Sequence, residues 1–210
     1  MPTPLWEFWT DWAVKAAGTL ATFLAVFVAL FGSWLRHWLT PAKLTLALVS
    51  DAGFYYLSIR PDRSGQTTDG FWYHVSVQNK RRWNTVSDVY IYLLSIEEED
   101  AAGALTPVWI GSAALTWRHE SPSKPKTIGP PVECDLCHIL KEPLALYLSP
   151  IYPASVTPAL FNKRCRIALT LQAKGTEVDS DRSRFEISWN DEWSDNPSKR
   201  KHNLKIKQVA

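Results

Sequence analysis

From Ala16 to Leu35 the chain runs twenty residues without a charge, AAGTLATFLAVFVALFGSWL, and no other feature constrains the fold as strongly. Wound as a helix at about 1.5 Å per residue, the run extends roughly 30 Å, the depth of a bilayer's hydrocarbon core. Its Leu, Val and Phe side chains together favour insertion by on the order of 3 to 5 kcal/mol. Lys15 and Arg36 bracket it, where their charged heads reach the headgroup layer. Trp6, Trp9 and Trp12 precede the run and Trp34 and Trp38 close it, which places indoles at both interfaces. The expectation is a short N-terminal tail over residues 1–15 and a transmembrane helix over 16–38, stopped by Pro41. A cleaved signal peptide would have a basic start, a shorter apolar core and a small-residue cleavage site. Here Glu7 and Asp11 occupy the start, and Trp34-Leu35-Arg36 follows the core.

Within the run, Ala17, Ala21, Ala25, Ala29 and Ser33 recur every four residues and form one ridge of small side chains. Small ridges let two helix backbones approach closely, and packing is the chief attraction available in lipid. Self-association along this ridge is expected, with Phe23, Phe27 and Phe31 turned to lipid. Only Lys15 flanks the helix closely on its N-terminal side, against Arg36 and Lys43 on the other. Positive-inside counting therefore places the C-terminal domain in the cytoplasm by a margin of one charge. The three cysteines cannot all pair internally, which fits a reducing compartment.

Beyond the anchor, residues 43–207 read as short strands. Leu44, Leu46 and Leu48 alternate, as do Phe71, Tyr73, Val75 and Val77, whose neighbours His74, Ser76 and Gln78 take the opposite face. The same period recurs in Val89, Ile91 and Leu93, in Cys165, Ile167, Leu169 and Leu171, in Phe185, Ile187 and Trp189, and in Leu204 and Ile206. Period two marks a strand with one buried face. Segments such as PDRSGQTTDG, EEEDAAG and KGTEVDSDRS punctuate them with turn-forming residues. The fold class expected is mainly β, a single transmembrane helix followed by an antiparallel, immunoglobulin-like β-sandwich. The prolines of residues 149–162 point to a long loop or crossover there.

Candidate chemistry is sparse. CDLCH, with Cys134, Cys137 and His138, has the spacing of a covalent haem attachment site, or with Cys165 could supply a Cys3His zinc set. Met1 is the only methionine, and no second paired-ligand motif accompanies it, so the favoured reading is reduced thiols acting as small apolar side chains. Asp191, Glu192 and Asp195 gather near Trp193, and Glu177, Asp179 and Asp181 lie upstream, in spacings that match no calcium loop. These are expected to be solvated turns, with Trp189 in the core and Trp193 a possible contact residue. Lys80, Arg81 and Arg82 beside Trp83 form a basic loop that could meet an anionic ligand. A net charge of +2 does not argue for nucleic acid. No nucleophile elbow, P-loop, HExxH or dinucleotide-binding glycine pattern occurs, so neither a catalytic role nor a cofactor is expected.

The function expected is a single-pass interaction or ligand-sensing module at the membrane, with lipid, a second copy and an unknown protein or anionic ligand as partners. The alternatives are a membrane effector whose helices cluster and perturb the bilayer on a signal, and an extracytoplasmic metal-, haem- or ligand-binding protein.

Overall fold

The computed structural model describes residues 5–39, 41–59, 65–81, 84–118, 120, 124–149 and 163–209. It divides into two compact units, Met1–Pro41 and Ala42–Ala210. The first contains α1, Leu5–Leu39, which is 35 residues long. The helix thus starts well inside the segment expected to be a tail. No proline or glycine falls between Leu5 and Ala17, so nothing in the sequence interrupts it before the apolar run. Its segment Trp12–Gly32 is long and apolar enough to cross a membrane, and none of it is buried within the protein. Thr19 and Thr22 donate their hydroxyls to the carbonyls of Lys15 and Gly18, each at 2.9 Å, so neither demands an outside partner. Ala17, Ala21, Ala25 and Ala29 are exposed along one line, as are Trp12, Lys15 and Trp34 at the ends. The side chains of Trp6, Trp9, Ser33, Arg36 and Trp38 lie outside the described set.

The second unit is mainly β, built from two antiparallel sheets. The five-stranded sheet contains β1 (Leu44–Leu48), β2 (Phe54–Ile59), β3 (Thr67–Asn79), β7 (Val132–Lys141) and β8 (Leu144–Leu148). The six-stranded sheet contains β4 (Val86–Glu99), β5 (Leu105–Ala114), β6 (Lys126–Ile128), β9 (Cys165–Lys174), β10 (Ser183–Trp189) and β11 (Leu204–Val209). The first sheet runs β1-β3-β7-β8, with β2 also paired to β3, and the second runs β11-β10-β9-β4-β5, with β6 on β4. β1 pairs with residues 75–79 of β3 and β2 with residues 67–72, so the two lie end to end against one long strand.

The alternating apolar positions of both sheets meet in one core. Tyr73, Val75 and Val77 from β3, Val89, Ile91 and Leu93 from β4, Ile167, Leu169 and Leu171 from β9, and Phe185, Ile187 and Trp189 from β10 all belong to it. Burying a side chain of this size contributes about 1.5–3 kcal/mol, so the period-two pattern itself selects the pairing faces. The outward face of the six-stranded sheet is charged. Arg166 bridges Glu99 at 3.3 Å and Glu186 at 3.0 Å, and Arg184 bonds Glu97 at 2.7 Å.

A short helix, α2 (Pro197–Asn203), packs over one end of the core. Asn196 caps it through a bond from Ser198 N of 2.9 Å, and Pro197 supplies the first turn. α2 carries Arg200, which is 5% exposed, with its guanidinium carbon 3.4 Å from the centroid of the Phe71 ring. Trp193 lies on the same ring at 5.0 Å and donates its indole N–H to Asp195 at 3.0 Å. Trp193, half-buried, thus has a packing role within the β-domain. Arg200 Nε and Nη1 find no hydrogen-bond partner, and burial lowers its pKa.

Candidate ligand site on the five-stranded sheet

The CDLCH stretch lies in β7, and a β-bulge decides what it does. Tyr73 pairs with Cys137 but His74 pairs with Asp135, so Leu136 is the extra residue. One inserted residue switches which parity of position faces inward. Cys134, Leu136 and Cys137 are consequently all buried in the core, and burial pushes both thiols above the ordinary cysteine range. His138 stands on the outer face, against Trp72, Tyr56 and Tyr147. The two thiols and the imidazole of the attachment signature thus point to opposite sides of one sheet. Cys165 is partly buried at the edge of the core, its pKa raised to about 12 by burial. No cluster of metal-ligating side chains occurs among the described residues.

His138 belongs instead to a row of rings that crosses the outer face of the sheet. Phe54 of β2, Trp72 of β3, His138 of β7 and Tyr147 of β8 are successive cross-strand partners. His138 and Trp72 have ring centroids 4.1 Å apart, and His138 stacks on Tyr147 at 5.1 Å and 11°. One step along the strands, Tyr56 lies opposite Gly70 and 5.4 Å from Trp72. A Cβ at Gly70 would come within 2.4 Å of Tyr56 Cε1, so the absent side chain is what lets that ring lie flat on the sheet. On the other side of Trp72, His74 contacts Phe54 at 5.3 Å.

His74 is 3% exposed, and its Nδ1 lies 2.9 Å from Asp135 Oδ1. That separation is an ion-pair distance, but Nδ1 makes no hydrogen bond of usable angle, and His138 Nδ1 is likewise unpaired. Burial lowers the His138 pKa to about 4, so this ring is neutral at pH 7 despite the carboxylate of Asp135 nearby. Burial also raises the phenol of Tyr56 above its ordinary value. Arg118 lies 4.8 Å over the Phe54 ring and pairs with Glu133, and Glu120 is bonded by Lys126 at 2.7 Å. Above these groups opens a cleft of about 490 Å³, bounded by Phe54, Trp72, Arg118, Glu120, Asp135 and His138.

The sequence marks few of these residues. His74 falls on the outward face, and the outward period of FWYHV, with Trp72 followed two positions later by His74, is the available signal. The basic loop considered for an anionic ligand lies elsewhere. Lys80 and Arg81 are exposed at the end of β3, where Asn79 Oδ1 accepts from Lys43 N and Arg81 N, both at 3.0 Å. Arg82 and Trp83 lie outside the described residues. Among the acidic groups, Asp191 sits in a turn at positive φ, and Glu192 N bonds Asn190 Oδ1 at 3.2 Å. Comparison with known proteins gives no matching family model and no matching curated relative.

Proposed function

We propose that the chain is a membrane-anchored β-domain that senses or presents a small ligand held in the cleft on its five-stranded sheet. One observation carries this reading: the two outward faces differ in kind. The face of the six-stranded sheet is mostly paired charges, with two half-buried rings, Tyr90 and Tyr92, beside Lys174 at one end. The face of the five-stranded sheet instead holds half-buried rings under a cleft whose size falls within the range of small-molecule sites, roughly 300–1,000 Å³. The N-terminal helix supports the anchor, since an apolar segment of bilayer length with no burial inside the protein needs lipid or a partner around it. The positive-inside count supports a cytoplasmic β-domain.

The domain's general plan, in this reading, is immunoglobulin-like. The order β10-β9-β4-β5 follows the G-F-C-C′ sheet of such folds, and β1-β3-β7 follows A-B-E. The hairpin β7-β8 departs from it, because the strand in the D position there follows the E position in sequence instead of preceding it. A second reading, an effector whose helices cluster, draws on the exposed alanine line of α1. Ala21→Leu with Ala25→Leu is then expected to abolish association in a membrane dimerisation assay.

The main reading is tested on the full chain in neutral detergent, by ligand-observed NMR against a fragment library. Fragments that bind wild type but not Trp72→Ala, while binding Lys80→Ala normally, support it. The absence of any Trp72-dependent fragment overturns it, as does release of the chain from membranes by alkaline carbonate.

A further inference from the structure

Within the ligand-binding reading, the cleft's shape and charge together narrow the ligand. We infer that the cleft binds a neutral saccharide, one pyranose ring stacking on Trp72 and its hydroxyls bonding the polar rim around Asp135 and Glu120.

The rings form a wall, not a cage. Phe54, Trp72, His138 and Tyr147 follow one another across adjacent strands, each half-buried against the sheet. An aromatic face carries negative quadrupole charge. It attracts the polarised C–H hydrogens on the flat side of a pyranose as it attracts a cation. An ammonium group prefers rings that surround it, and here they pack on one another in a single row along the cleft floor. Charge argues against an anion. Arg118 is engaged by Glu133 and sits on Phe54, and Glu120 is likewise engaged by Lys126 at 2.7 Å, which leaves the carboxylate of Asp135 at the rim without a Lys or Arg partner among the described residues. A phosphate-bearing ligand would meet the carboxylate of Asp135 and two cations, Arg118 and Lys126, that are already paired. A neutral polyol suits the rim better, because each hydroxyl can donate to a carboxylate and accept from a donor. Thr116 and Ser149 add hydroxyls of their own to the lining. The neutral ring of His138 completes the wall without adding charge.

The test uses the full chain in octaethylene glycol monododecyl ether, a sugar-free detergent, with saturation-transfer NMR. The probes are cellobiose, chitobiose and lactose, with adenosine and choline beside them. At least one disaccharide is expected to bind, with saturation concentrated on the C–H hydrogens of one ring face. Trp72→Ala should weaken that binding by tenfold or more. Asp135→Asn, which keeps the aromatic wall, should weaken it several-fold while the thermal midpoint stays near wild type. Trp72-dependent binding of adenosine or choline without any disaccharide overturns the saccharide assignment and leaves the ligand-binding reading standing. No binding by any of the five overturns the saccharide assignment, and a barren fragment library beside it removes the broader reading too. Disaccharide binding indifferent to both substitutions also overturns it.

Discussion

Arg200→Met should leave the β-domain at least as stable as wild type, although it deletes a cation from the face of an aromatic ring. Two effects compete. The guanidinium 3.4 Å above Phe71 gains up to about 2 kcal/mol from the ring when desolvated. Against this, Nε and Nη1 are buried without partners, and each such donor costs about 1–3 kcal/mol. The cost exceeds the gain over most of that range, and methionine keeps the unbranched stem that fills the space. The expected change is a gain of about 1–2 kcal/mol, which for a unit of this size raises the melting temperature by roughly 2–8 °C. Arg200→Ala separates charge from packing. It removes every side-chain atom beyond Cβ from a site that is 5% exposed, so it should fall about 2–3 kcal/mol below the methionine variant. Arg200→Lys keeps a charge but loses the planar stack, and should lie below wild type. Thermal unfolding of the full chain at fixed detergent concentration, followed by near-UV circular dichroism, ranks all four. A methionine variant less stable than wild type by more than about 1 kcal/mol refutes the reasoning, because it would mean that the guanidinium is well satisfied where it sits.

Gly70→Ala should destabilise by about 1–3 kcal/mol, since the new methyl must displace the Tyr56 ring from 2.4 Å, and Tyr56→Ala in the same chain should recover at least half of that loss in a double-mutant cycle. His138 gives the domain an acid sensitivity of defined sign. Its pKa drops from 6.5 to about 4 on folding, so the folded state binds fewer protons between those values, and the stability present above pH 6.5 is lost as pH falls towards 4. On the order of 3 kcal/mol at most is at stake, and urea titrations from pH 7 to 4 should show a shallower loss in His138→Gln than in wild type. Because Cys134 and Cys137 lie in the core with their thiols held protonated, a water-soluble disulfide reagent at pH 8 should label them only as fast as the domain unfolds; a rapid native burst exceeding one equivalent would contradict their placement.

Much of the fold was legible because burial on one face writes itself into alternate positions. Leu44 and Leu46, Ile167 and Leu169, and Ile187 and Trp189 all occupy the core that their spacing implied. Strands without that simple record are not legible in the sequence. β5 lies at a sheet edge and exposes Val108 and Ile110, so its apolar residues do not alternate in step with burial. β2 also pairs on one side only and exposes Tyr55, Leu57 and Ile59, residues of strand type that no core demanded. α2 is seven residues long, too short for helical periodicity, and its sole sequence sign was Asn196-Pro197 at the cap and first turn. In β7 the alternation changes phase at Leu136. Cys134 and Cys137, an odd number of positions apart, would face opposite sides of a regular strand. No rule of spacing announces a bulge, so the sequence could not say whether the two thiols and His138 converge.

The ligand cleft was hidden for a different reason. In FWYHV both faces of β3 are aromatic or apolar over several residues, and such a run is what a strand buried on both sides also produces. What separates the two cases is not in the strand. Phe71, Tyr73 and Val75 meet the second sheet, whereas Trp72 meets rings of its own sheet, His74 on the same strand and partners 18, 66 and 16 positions away: Phe54↔Trp72, Trp72↔His138 and Tyr56 across Gly70. A cross-strand row of this kind depends on the register of three strands at once, and the register of β7 depends on the bulge. Moving Leu136 back into the ladder would carry His138 to the core side and bring a thiol out beside Trp72. The same single residue therefore dissolves the apparent attachment motif and completes the aromatic wall. Deleting Leu136 should accordingly cost the core one buried leucine while leaving both thiols inward and His138 beside Trp72, because Asp135 and Cys137 already pair with the consecutive residues His74 and Tyr73.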